Sequence, residues 1–162
     1  MHLHADFWAP ALVALALLST GIVYGTDMFF ALVGRAALRR TDAASLTQVL
    51  GHLHAVADAR MPVAGALAML STGGLFFAAG GWDAWAGRLA LLALWGQLTM
   101  LGLYKRVAQP VNQRLTAAAQ QGATLPDALA LQVRWDSVIG LRAAALTVAM
   151  AALIAAALLL PR

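Results

Sequence analysis

Of the 162 residues, 62% are hydrophobic and only 11% are charged, with four histidines and no cysteine. A soluble domain is typically about a quarter charged, so this balance excludes an ordinary water-soluble fold. The lack of cysteine excludes disulfides, thiolate metal sites, cysteine nucleophiles and thiol-linked lipids. The net charge of +4 comes from basic residues beside apolar runs, where membrane lipids rather than nucleic acid are the expected partner.

In chain order, the N-terminal MHLHADFW lacks the Lys/Arg-rich start of a secretory signal, and the apolar run after it is too long for a signal h-region. Residues 10–34 therefore read as a retained first span, opened by Pro10. Residues 41–60 place Leu46, Val49, Leu50, Leu53 and Val56 at helical spacing. This predicts a short amphipathic helix on the membrane surface, capped by Thr41 or Asp42. The second span covers about 61–80, with Pro62 in its first turn. The third covers about 85–104, with Arg88 near enough to its start to snorkel outward. A further short helix in VNQRLTAAAQQG ends at Gly122, and Thr124, Pro126 and Asp127 read as the next helix start. The fourth span covers about 138–160. The expected fold is all-α: one membrane domain over residues 1–162, a four-transmembrane-helix bundle with short amphipathic helices in its two long connections.

Nine of the eleven basic residues border those two connections, which places the connections in the cytoplasm and both termini outside a cell inner membrane. Trp8, Trp82 and Trp85 suit an outer aromatic belt, and Trp135 and Tyr104 an inner one. Within the spans, Asp27 and Gln97 each lie eight residues before a basic boundary residue, Arg35 and Lys105. That is a depth of about 12 Å along a straight helix. Arg142 reaches a similar depth from the fourth span. A charged side chain near the bilayer centre costs at least about 2.5 kcal/mol. Asp27 is therefore expected to face the interior and pair with Arg142, with Gln97 completing the hydrogen bonds in one polar layer. Tyr24, one turn before Asp27, is positioned to present its hydroxyl to the same interior. Gly21-x-x-x-Gly25 and Gly96 are expected to serve close helix packing.

The histidines, His2, His4, His52 and His54, all fall outside the four spans, which excludes a haem held by two buried imidazoles. His54 and Asp58, one turn apart, make only a weak two-ligand pattern, so no metal and no cofactor is expected.

At PVNQRL (110–115) and RWDSVIGLR (134–142) the chain resembles the anthrone-oxygenase-like integral membrane proteins, a group mostly of unknown function. The resemblance spans nearly the whole chain through short motifs. It implies a small membrane protein acting on polycyclic anthrones without an obvious metal or flavin. By position, Asn112, Trp135 and Arg142 match the family pattern, and Gly21, Gly25 and Asp27 match it less firmly. Ile139 stands where many members have a histidine. The resemblance makes Asp27 a candidate catalytic base with Arg142 as oxyanion partner; Tyr24, Gln97, Asn112 and Trp135 are candidate ligand-binding residues for a small hydrophobic aromatic ligand. The first functional expectation is a polar intramembrane layer that specifies packing or binds such a ligand. A cofactor-independent oxygenase and a transporter component are the alternatives, and homo-oligomerisation stays open.

Overall fold

The computed structural model describes residues 5–160, which form four long helical rods joined by short turns. Rod one comprises α1 (Ala5–Phe29), a π-helical turn (Phe30–Gly34) and α2 (Arg35–Leu38). Rod two is α3 (Ala43–Ala78). Rod three comprises α4 (Trp85–Leu103), a second π-helical turn (Tyr104–Ala108) and α5 (Gln109–Gln120), and rod four is α6 (Ala128–Leu158). Each rod carries a stretch long and apolar enough to cross a membrane. The chain is an all-α, multi-pass integral membrane protein. Rods one and three each pack against rods two and four, the arrangement of an up-and-down bundle.

The segments expected as separate surface helices are helical, but they are continuous with the spans. In α3, Leu46, Leu50 and His54 are buried in phase with Ala68, Thr72 and Leu75, so one helix buries both stripes on the same side. Pro62 sits in the helix interior instead of opening it, and its missing N–H leaves the Asp58 carbonyl without a helical donor. Likewise α6 begins ten residues before the expected start of the fourth span. A 36-residue rod is about 54 Å long, against about 30 Å of hydrocarbon. The bundle therefore extends past the bilayer at the end that carries Arg35, Arg39, Arg40, Arg114 and Arg134, termed here the basic end.

Local chemistry sets the rod ends. Asp42 caps α3, its Oδ1 accepting from the backbone N–H groups of Ala44 and Ser45 at 3.0 Å each. Gly122 closes α5 at φ +64°, a left-handed conformation that favours glycine. Between rods two and three, Gly80 and Gly81 also have positive φ. Arg88 leans outward, donating from Nε to the Trp82 carbonyl at 2.7 Å and stacking on Trp85.

Two apolar cores result, with a polar zone between them. Away from the basic end the core is built from alanines, including Ala16, Ala90, Ala93, Ala149 and Ala152, around Leu75 and Leu153. Small side chains let α4 and α6 approach closely: a Cβ on Gly96 would lie 2.6 Å from the Ala145 carbonyl oxygen. Gly21 and Gly25 do not serve this purpose, because a Cβ on either would meet open space. At the basic end, Leu46, Leu50, Leu115 and Ile139 pack with Phe30 and Trp135. Trp135 is 5% exposed, so it belongs to this core and not to an interfacial aromatic belt.

Candidate functional site

Asp27 and Arg142 face each other across the bundle from α1 and α6. Arg142 donates from Nη2 to Asp27 Oδ1 at 2.7 Å and from Nε to Oδ2 at 3.1 Å, a bidentate pair buried on both sides. The guanidinium carbon also lies 5.4 Å from the Trp135 ring centre and 5.8 Å from that of Tyr104. Two aromatic faces and a carboxylate thus hold the cation inside the bundle, and the paired guanidinium explains how α1 tolerates its acid.

Gln97 does not complete this pair. Its Nε2 donates to Thr20 Oγ1 at 3.0 Å and to Thr72 Oγ1 at 2.9 Å. Thr20 precedes Asp27 by seven residues, so this second layer lies about 10 Å further from the basic end. The expected single layer is therefore two. Depth counted from Arg35 and Lys105 failed because neither residue ends its helix.

A third cluster centres on Asp58, which the sequence reading placed outside the spans. Asp58 Oδ1 accepts from the Tyr104 hydroxyl and from Asn112 Nδ2, each at 2.9 Å. These contacts tie rod two to the second π turn and to α5. His54, one turn earlier on α3, is 4% exposed and lies 5.9 Å from Trp135, ring centre to ring centre. His54 and Asp58 are the site residues that sequence reasoning missed. The signal is in the spacing: Leu46, Leu50, His54 and Asp58 recur every four residues along α3, the first three buried and Asp58 partly so.

The three clusters line one cavity of about 720 Å³ between the two apolar cores. It reaches the molecular surface along α3, where the lining residues Leu53, Val56, Arg60, Pro62 and Ala66 are exposed. The two π turns each open with an aromatic residue of its wall, Phe30 and Tyr104, and π turns recur at functional sites. Met61, Met69 and Met100 add soft apolar wall. Five buried side chains of its lining carry an atom with no hydrogen-bond partner: Arg142 Nη1, Trp135 Nε1, His54 Nε2, Gln97 Oε1 and Asn112 Oδ1. Buried polar atoms are normally paired, so this concentration marks a place built to meet something polar.

Of the residues singled out from sequence, Asp27, Gln97, Asn112, Trp135 and Arg142 share the cavity. Tyr24 does not line it; its hydroxyl accepts from Thr147 Oγ1 at 3.4 Å on the exposed flank of α1 and α6. One turn before Asp27 on α1, Tyr24 is rotated toward α6. Among the described residues no three His, Cys, Asp or Glu side chains come together as a metal site. His2 and His4 lie outside the described residues.

No protein-family model matches the chain, nor does a curated protein or a solved structure. The functional reading therefore rests on the geometry of the cavity.

Proposed function

We propose that this chain binds a neutral, ring-bearing lipophile with a carbonyl-type oxygen, taken up from the bilayer along the exposed wall of α3. The observation that carries this reading is the cavity itself, mostly apolar yet supplied with unpaired donors from Arg142 and Trp135. Neutrality follows from charge. Inside the wall the charges are already matched, Asp27 by Arg142 and Asp58 by hydrogen bonds from Tyr104 and Asn112, while Arg60 and Lys105 charge only the exposed rim, so no interior group calls for a charged ligand. Rings suit a wall of Phe30, Tyr104, Trp135 and three methionines. The basic end faces the cytoplasm in this reading, by the excess of Lys and Arg there.

Trp135→Phe tests it, because Phe keeps the packing against Phe30 and removes the indole donor. In nanodiscs, a ring ketone with a single carbonyl such as fluorenone should bind saturably and lose about tenfold in affinity in the variant, the worth of roughly one hydrogen bond. Equal binding of the ketone and its parent hydrocarbon would sink the reading.

One observation favours oxygenation of an anthrone-type ligand as a second reading. His54 Nε2, a nitrogen able to take a proton when the ring hydrogen is on Nδ1, shares the cavity with Arg142 Nη1. Asp27 is less suited to be the base, since Arg142 occupies both of its oxygens. His54 would take the ring CH₂ proton, Arg142 would face the enolate oxygen, and dioxygen would add at carbon, with water leaving to give the quinone. The test is oxygen uptake with anthrone: His54→Gln should abolish it, and uptake that persists in that variant removes this reading.

A further inference from the structure

Gln97 differs from the other unpaired groups in that its orientation is fixed by the chain. The Thr72 hydroxyl donates to the Ala68 carbonyl at 2.7 Å, so its oxygen has to accept from Gln97. Thr20 Oγ1 takes the second amide hydrogen. Both Nε2 hydrogens are then committed, and Oε1 is left as a pure acceptor, on a side chain 2% exposed, at the cavity end remote from the basic end. At the other end Arg142 and Trp135 offer pure donors. The two sets lie about two helical turns apart, roughly 10 Å. The cavity is therefore polarised, with an acceptor at one end and donors at the other.

We propose that Gln97 is a specificity-determining residue that accepts a hydrogen bond from a hydroxyl at the remote end of the ligand, while Arg142 and Trp135 hold an acceptor oxygen at the opposite end. This rests on the cavity being a ligand site, and it adds the direction in which the ligand lies. A ligand with acceptors at both ends leaves Gln97 Oε1 unmatched in an apolar wall, and a site built around a hydroxyl rejects the analogue that lacks its hydrogen.

The experiment uses 6-acetyl-2-naphthol, a fluorescent rigid two-ring compound with hydroxyl and carbonyl at opposite ends, and its methyl ether, which keeps shape and carbonyl but has no donor. Each is titrated into the full chain in nanodiscs, with empty nanodiscs subtracted. The naphthol should bind at least tenfold more tightly than the ether. In Gln97→Met, which keeps side-chain length, the preference should fall below twofold by weakening of the naphthol alone. Equal affinities in the unaltered chain, or a preference that survives in the variant, overturn the role of Gln97 while leaving the cavity a ligand site. Absence of saturable binding by either compound overturns both. The comparison in the unaltered chain decides the matter even if Gln97→Met does not fold.

Discussion

Two residues show how position decides what a carboxylate does. Asp27 is held by both of its oxygens against Arg142 in the buried interior of the bundle, so removing either partner strands the other charge. Asp27→Asn or Arg142→Met should each destabilise the bundle by about 3 kcal/mol, whereas Asp27→Leu with Arg142→Met should restore most of that stability. Unfolding in mixed detergent micelles measures all three. A double variant no better than the worse single one would show that the pair is not the unit of stability. Asp42 acts in the opposite setting, fully exposed at the start of α3, where hydrogen bonds from Ser45 and Ala44 lower its carboxyl below the ordinary 3.8. A depressed pKa means that the stabilisation is complete above about pH 4 and is lost as pH falls through the folded value. Amide exchange at Ala44 and Ser45 should therefore accelerate relative to the rest of α3 on acidification. Asp42→Asn should remove that relative change.

At the scale of elements, the packing divides glycines that look alike in sequence. Gly96 sits where α4 meets α6, and a methyl there would press on the Ala145 carbonyl and on Ala149. Gly96→Ala should cost about 1–3 kcal/mol by overpacking, and Gly21→Ala or Gly25→Ala close to nothing. Thermal unfolding of the three variants ranks them, and a Gly21 effect as large as that of Gly96 would contradict this packing. Hydropathy made the existence of four spans legible, because a run of some twenty apolar residues has few other uses. It hid their length. Basic residues such as Arg60 and Lys105 read as the end of a span, yet a helix can carry them past the headgroups as long as its buried stripe keeps phase. The Asp27–Arg142 pair was legible for a similar reason, since two charges inside apolar spans have few affordable arrangements. Gln97, Thr20 and Thr72 were not: amides and hydroxyls satisfy themselves at many depths, and only the relative offset of α1, α3 and α4 shows which of them meet. His54 and Asp58 were lost with the misplaced boundary, because a surface helix gives polar residues no interior to face.

For the whole molecule, rods longer than the hydrocarbon mean that the cavity sits near one membrane face, with Arg60 and Lys105 on its rim, and not at the bilayer centre. From the Trp85 end of rod three, Lys105 lies about 30 Å along, the full hydrocarbon depth, and α5 continues roughly 20 Å beyond it. A ligand dissolved among the acyl chains would meet the exposed apolar face of α3, where Val56, Val63, Leu67 and Leu70 are 41–74% exposed, without crossing water. Single cysteines in this cysteine-free chain can map that placement with a membrane-impermeant maleimide. Ala44→Cys and Ala117→Cys, exposed at the basic end, should both label from one side only, the cytoplasmic side in the proposed orientation, and Asp83→Cys from the opposite side only. Val63→Cys and Leu70→Cys should stay unlabelled from either side. Labelling of Ala117→Cys from the same side as Asp83→Cys would break the up-and-down topology. Protection of Ala44→Cys from both sides would mean that α3 lies in the bilayer over its whole length, which would draw the cavity inward and deny Arg60 and Lys105 their place among the headgroups. The two patterns differ at positions far from the cavity, so the depth of the site can be fixed before any ligand is identified.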